Sequence, residues 1–259
     1  MRPTFNNENI NKYKKELFEY FASSINWLKD LSNYKKNQLR RAFNVAFKAH
    51  QGQFRKGGDK EPYITHPVEV AIIVAKEMNF GITSVISALL HDVVEDSDLY
   101  DIDYIDSRFG KHVATIVDGV TKITNISGKQ ESKQLETFKK LLFTIPKDYR
   151  VVLIKIADRL HNMRTMEDMP GSSRRIKSSE NLYIYAPIAN MVGLHDIKKE
   201  IYNLSFKYLH PENYQNLLSE RELTSFRRYE VLSSFQKKIK RSIFKKYSFL
   251  TMETIVKSW

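Results

Sequence analysis

His91-Asp92 is followed one helical turn later by Glu95-Asp96, in the segment Leu89-Leu90-His91-Asp92-Val93-Val94-Glu95-Asp96. One imidazole and three carboxylates set among apolar residues are costly, because a buried ion loses several kcal/mol unless it is paired or bound to a metal. Glu95 lies four residues from His91 and Asp96 four from Asp92, so the second pair repeats the faces of the first. A second polar cluster follows the apolar run Val151-Val152-Leu153-Ile154. There Asp158, Asn162 and Thr165 fall at i, i+4 and i+7, which is one face of one helix. His66, immediately before Pro67, supplies another imidazole. His66, His91, Asp92 and Asp158 make a set of two imidazoles and two carboxylates with no sulfur, which suits a divalent ion of the Mn, Fe, Mg or Zn group. Four protein ligands on an octahedral ion leave about two positions for water and substrate. That is a hydrolase layout, with water and a phosphoryl oxygen as the groups activated.

The elements that position these residues read as helices. Residues 38–50 place Leu39, Ala42, Phe43, Ala46 and Phe47 on one stripe. Breakers then make a loop of residues 51–62. Pro67 suits the first helical position, which places His66 at the entrance of a helix running to about Met78. Thr83 suits an N-cap for a helix over residues 84–95, whose Val85, Ile86, Leu89, Leu90 and Val93 make it apolar nearly all round and therefore central. Further helices are expected at about 101–108, 110–122, 131–144, 148–166, 174–192, 194–207 and 211–247. His50, His112, His195 and His210 lack a carboxylate at ligand-like spacing and read as structural or exposed. His161 reads as a packing residue, or a support for a ligand, rather than as a ligand itself.

Composition narrows the class. Of 259 residues, 42% are hydrophobic and only 16 are Gly or Pro, which disfavours both a disordered chain and turn-rich β architectures. The absence of cysteine excludes a disulfide scaffold, a thiol nucleophile and a sulfur-ligated metal. No apolar run approaches the ~18–20 residues of a bilayer span, and the N-terminal stretch lacks the apolar core of a secretory signal. A cytoplasmic setting with no membrane partner is the expectation. The net charge of +12 is unevenly spread: residues 31–60 hold eight basic residues and one acid, and residues 61–110 hold two basic residues and ten acids. Such an arrangement suits carboxylates that hold a cation beside Lys and Arg that hold an anion. The charge alone would also permit nucleic-acid binding, but no recognition motif or aromatic-lined basic surface accompanies it. Phosphate-cradling Walker loops, dinucleotide-binding glycine motifs and Gly-x-Ser-x-Gly elbows are likewise missing.

His66, His91-Asp92 and Asp158 resemble the H…HD…D pattern of HD-domain phosphohydrolases. The flanks sharpen the likeness: Gly52-Gln53-Phe54-Arg55-Lys56, Tyr63-Ile64-Thr65-His66-Pro67, Val117-Asp118-Gly119-Val120-Thr121-Lys122, Ile156-Ala157-Asp158-Arg159-Leu160-His161-Asn162-Met163-Arg164-Thr165 and Tyr183-Ile184-Tyr185-Ala186-Pro187. In this order they are similar to the hydrolase domain of the RelA/SpoT homologue family, over roughly residues 30–210. The resemblance implies an all-α, compact HD-type fold comprising residues 1–210, with a basic helical extension over 211–259. It implies manganese-dependent removal of the 3′-pyrophosphate of the guanine nucleotide alarmone (p)ppGpp, yielding GDP or GTP and pyrophosphate. By position, His66, His91, Asp92 and Asp158 would ligate one Mn2+, and Glu95 and Asp96 would handle the water and leaving-group protons. Arg55 and Lys56 would grip the nucleotide, while Asn162, Thr165 and Tyr185 would line its base or ribose pocket. Departures from the family pattern at Gly57-Gly58 and at Asn190-Met191-Val192-Gly193 bear on affinity or nucleotide preference, which leaves (p)ppApp and the 2′-phosphate of NADPH as alternative substrates. A non-catalytic nucleotide sensor is the alternative of a different class. Without a synthetase portion, the expectation is a stand-alone alarmone hydrolase or the hydrolase half of a longer protein, unable to make (p)ppGpp.

Overall fold

The computed structural model describes residues 2–5, 9–55, 61–124, 130–167 and 169–221. Among these the architecture is helical throughout, and the only extended pairing is an isolated antiparallel bridge between Phe54 and Pro62. The chain divides into two units, Met1–Leu209 and His210–Trp259. In the second, residues 211–221 are helical, and the remainder of the expected 211–247 helix lies outside the described residues.

The first unit opens with α1 (Ile10–Ser24), which the reading of the sequence passed over. Asn9 caps it by accepting from Lys12 N–H, and Tyr13, Leu17 and Phe21, spaced by four, bury its inner face. A 3-10 turn over Asn26–Asp30 leads to α2 (Asn33–Ala49), which buries Leu39, Ala42, Phe43, Ala46 and Phe47 as the apolar stripe requires. Helix α3 (Thr65–Ile72) starts two residues before Pro67, so His66 stands in its first turn, and it continues as a π turn through Ile73–Glu77.

The central helix differs from expectation. It is two pieces, α4 (Ile82–Leu89) and the short α5 (Val93–Asp96), with Leu90–Asp92 between them outside regular helix. Gly81 stands at the N-cap position and Thr83 lies inside the helix. Ser84 through Leu89 are all buried, and α4 packs against α2, α3, α7 (Lys111–Thr124) and α8 (Gln130–Arg164), so its central place holds. Before α7 comes α6 (Ile102–Phe109), capped by Asp101 and closed by Gly110 at φ 89°.

The expected helices at 131–144 and 148–166 are the two limbs of α8, which bends at Asp148, two residues after Pro146. Gly119 of α7 lets this helix come close: a Cβ there would stand 2.8 Å from Val151 Cγ2. The expected helix at 174–192 is α9 (Gly171–Glu180), a π turn over Asn181–Tyr185, and α10 (Ala186–Met191). Pro187 has no N–H and its ring crowds the preceding turn, and the widened turn directly before it accommodates both. Helix α11 (His195–Leu209) closes the unit, and Arg164 ties it to α8 by bonding both Glu200 and Glu77 at 2.6–2.8 Å.

Candidate metal centre

Three elements converge on the site. The first turn of α3 brings His66, the break between α4 and α5 brings His91 and Asp92, and the second limb of α8 brings Asp158. Donor atoms of His66, His91 and Asp92 lie within 4.8 Å of one another. His66 Nε2 is 3.2 Å from Asp158 Oδ1 and 3.7 Å from Asp92 Oδ2, and His91 Nε2 is 3.1 Å from Asp92 Oδ2. All four residues are buried.

The break explains how neighbours in sequence reach one point. On a continuous helix adjacent side chains diverge. Here Asp92 leaves the helical ladder, and His91 Nδ1 donates to Ala88 O at 2.8 Å, the carbonyl an unbroken helix would offer to Asp92 N–H. That bond leaves Nε2 as the nitrogen facing the carboxylates. Nε2 is buried and, despite its proximity to Asp92, off the line of any hydrogen bond. A buried imidazole nitrogen that faces carboxylate oxygens without hydrogen-bonding to them fits a metal ion, and the mixed N/O set without sulfur fits a hard or borderline divalent one.

Each ligand candidate is also held from behind. The Tyr63 hydroxyl donates to Asp92 Oδ2 at 2.8 Å. His66 Nδ1 and His161 Nδ1 share a hydrogen bond of 2.8 Å, which places His161 as a support, in line with its sequence reading. Asp158 Oδ1 accepts from Asn162 Nδ2 at 2.6 Å, and Asp158 Oδ2 accepts from Lys155 Nζ at 2.8 Å. Such outer contacts fix ring tautomers and carboxylate orientation.

Charges follow from this packing. Burial lowers His66, and burial with His66 alongside pushes His161 down to about 2, so both rings are neutral. For His91, burial acts downward but the Asp92 carboxylate outweighs it and raises the ring to about 9. Burial would raise Asp92 and Asp158; His91 holds the first below the usual carboxylate range, and Lys155 and then His66 hold the second well below it. Lys155 is itself held above the usual ammonium value, because Asp158 overcomes the effect of burial.

Glu95 and Asp96 form the end of α5, half-buried and exposed respectively, at the rim of the cluster. Burial and then the repulsion of Asp92 raise the Asp96 carboxyl. Gln53 Nε2 ties this rim to the preceding loop by donating to Asp96 O at 2.8 Å. Arg55 spans the other side: its Nη2 donates to Thr165 Oγ1 at 2.7 Å and Asn162 Oδ1 at 3.2 Å, and its guanidinium lies 5.9 Å from the Tyr63 ring centroid. The structure thus joins Arg55, Asn162 and Thr165 to one another, and Asn162 to Asp158. Tyr185 is buried at 1% exposure with the Arg159 guanidinium 4.9 Å from its ring centroid. Lys56 lies outside the described residues.

One participant, Lys155, was not among the sequence candidates, and His50, expected to be structural or exposed, is structural. Lys155 sits three residues before Asp158 inside an apolar run, and a cation at that position was the available signal. His50 is 1% exposed, its ring 4.8 Å from that of Tyr63 and its Nδ1 2.8 Å from Gln53 Oε1, so it props the tyrosine that holds Asp92.

The model of the HD domain matches residues 42–195, more than half of the chain. The chain belongs to the HD-domain family. Over that region it is homologous to RelA/SpoT proteins. It is 41% identical over 197 residues to a guanosine-3′,5′-bis(diphosphate) 3′-pyrophosphohydrolase of Haemophilus influenzae, covering 76% of this chain and 28% of that one. It is 44% identical over 179 residues to the bifunctional (p)ppGpp synthase/hydrolase SpoT of Escherichia coli K12, covering 69% and 25%. The chain therefore spans about a quarter of the length of these curated relatives. A solved metazoan orthologue of SpoT, described as hydrolysing ppGpp and acting in starvation responses, superposes with a TM-score of 0.51 at 23% identity, covering 66% of this chain and 94% of that one. That likeness shows the all-α HD fold. No helix among the described residues is long and apolar enough to cross a membrane.

Proposed function

We propose that the HD unit is a divalent-metal hydrolase that removes pyrophosphate from the 3′ position of (p)ppGpp, and that it uses Mn2+ in the cytoplasm. The observation that carries the reading is the buried cluster in which His91 Nε2 stands 3.1 Å from Asp92 Oδ2 with no hydrogen bond formed, beside His66 and Asp158. These four residues would hold the ion. When bound, it supplies Lewis acidity, lowering the pKa of water and offsetting phosphoryl charge.

The protein side chains divide the remaining work. Glu95 at the rim takes the proton of the attacking water. Asp96, whose carboxyl is raised by burial and by Asp92, gives a proton to the departing ribose 3′ oxygen. The water oxygen joins the 3′ phosphorus, the bond from that phosphorus to the ribose oxygen breaks, and pyrophosphate leaves. Arg55, turned toward Asn162 and Thr165 in the free protein, is placed to exchange those contacts for the nucleotide, with its planar guanidinium able to stack on a base. Lys56 would add charge to the same grip, and Tyr185 would shape the pocket through Arg159. Residues 1–210 would form this hydrolase domain and residues 211–259 an extension to it; the division of the chain after Leu209 supports that boundary.

Product analysis with Mn2+ tests the reading, with ppGpp, pppGpp, ppApp and NADPH offered side by side. GDP or GTP with pyrophosphate, abolished by chelator, is expected. Orthophosphate from NADPH alone would keep the metal site and overturn the substrate, and no turnover of any nucleotide would overturn catalysis.

A further inference from the structure

One of the buried charged groups beside the site is not among the proposed ligands. Lys155 is 4% exposed, and an ammonium in that position is tolerated only where a partner offsets its lost hydration. Its Nζ lies 2.8 Å from Asp158 Oδ2. The two oxygens of Asp158 therefore face different ways. Oδ1 receives Asn162 Nδ2 and lies 3.2 Å from His66 Nε2, on the side where the imidazoles and Asp92 converge, while Oδ2 is tied to the ammonium. Asp92, the other carboxylate of the set, is backed by the neutral hydroxyl of Tyr63. Its charged neighbour is His91, itself a proposed ligand, whereas the cation on Asp158 comes from a side chain outside the ligand set.

We propose that Lys155 is a positioning residue that confines Asp158 to ligation through one oxygen and holds down the affinity of the site for its divalent ion. The proposal rests on the metal-site reading above. Two physical effects act in the same direction. An oxygen engaged by an ammonium is not available to chelate, so Asp158 occupies one coordination position and leaves room for water and a phosphoryl oxygen. The ammonium also cancels one of the two carboxylate charges, and a less anionic donor set binds a dication less tightly while leaving it a stronger Lewis acid. In the empty site the same group keeps the buried Asp158 carboxylate paired.

The test is titration calorimetry of the full chain with Mn2+ alone, together with thermal melting with and without Mn2+, for wild type, Lys155→Met and Lys155→Arg. Met keeps an unbranched stem and removes the charge. It should bind Mn2+ about tenfold more tightly or better, melt below wild type without the ion, and gain more from its addition. Lys155→Arg should keep wild-type affinity. At saturating Mn2+ the Met variant should lose kcat for the nucleotide while KM stays, a split that a packing defect would not produce. Equal or weaker Mn2+ binding by Lys155→Met overturns the proposal. A Met variant that folds only with Mn2+ supports it, because the ion then replaces the missing cation. If that variant folds under neither condition, Lys155→Gln retains a donor to Oδ2 without the charge. It must still bind Mn2+ more tightly than wild type, and wild-type affinity there sinks the idea. A wild-type chain that takes up no Mn2+ overturns the metal-site reading itself, which is a distinguishable result.

Discussion

The α4–α5 break and the second limb of α8 each deliver carboxylate and support to the same point, by opposite means. At the break, His91 and Asp92 are adjacent in sequence and reach one centre only because the helix is interrupted. His91 is held by the Ala88 carbonyl three residues earlier, but Asp92 depends on Tyr63 from another segment. On the second limb of α8 the helix stays intact and Lys155, Asp158 and Asn162 line one face, with Thr165 just past its end, so Asp158 is held by neighbours three and four residues away. The break gives adaptable geometry and depends on its surroundings. The intact helix gives a pre-set face that needs only its own sequence.

The largest effect should come from cutting the break at its centre. Asp92→Ala removes a ligand candidate from both imidazoles and should abolish Mn2+ binding by calorimetry and reduce turnover to background. The apolar burial of α4 is untouched, so the variant should still melt cooperatively. Normal turnover in that variant would remove Asp92 from the metal set. A softer cut separates the two regions. Tyr63→Phe deletes the external support of Asp92 and should weaken Mn2+ binding about tenfold. Asn162→Ala, on the self-supporting face, should weaken it less and act mainly through KM, since Arg55 loses an anchor there. Equal effects on metal affinity would erase the contrast.

Acidity sharpens the comparison further. His91 is raised from its unfolded value near 6.5 to about 9 in the metal-free protein, so its ion pair with Asp92 stabilises the fold fully below pH 6.5. That contribution is lost as pH rises through 9. Metal uptake runs the other way, since the ion must displace that proton. The increment in melting temperature on adding Mn2+ should therefore grow between pH 6.5 and 9, and a flat increment would show that His91 is already neutral in the empty site. The smallest expected effect concerns how α8 is seated. Gly119→Ala would press a methyl against Val151, four residues before Lys155, at a cost of about 1–2 kcal/mol by chemical denaturation, with Mn2+ affinity nearly unchanged. A stability gain instead would mean that α7 and α8 have slack between them.

Much of this was legible because it is local. The i, i+4, i+7 spacing of Asp158, Asn162 and Thr165 specifies a shared helix face wherever that helix packs. The apolar stripe Leu39–Phe47 specifies a buried side in the same way, and so, had it been followed, does Tyr13, Leu17 and Phe21 in α1. His91-Asp92 was recognisable as costly, but its periodicity suggested one uninterrupted helix over 84–95. The residue that holds Asp92 at the break, Tyr63, lies 29 positions away, so no local pattern announces that contact.

Residue types and spacing alone determined a helical protein with a sulfur-free imidazole–carboxylate set and an adjacent basic segment, because helix periodicity and metal-ligand chemistry are properties of short stretches. Tertiary structure alone decided that Tyr63 backs Asp92, that His161 backs His66, and that Arg55 is paired with Thr165 across 110 positions of chain. It likewise made a lysine in an apolar run the counter-charge of Asp158 with its ammonium out of water. These are matters of which side chains lose solvent together, and burial is a property of the packed whole.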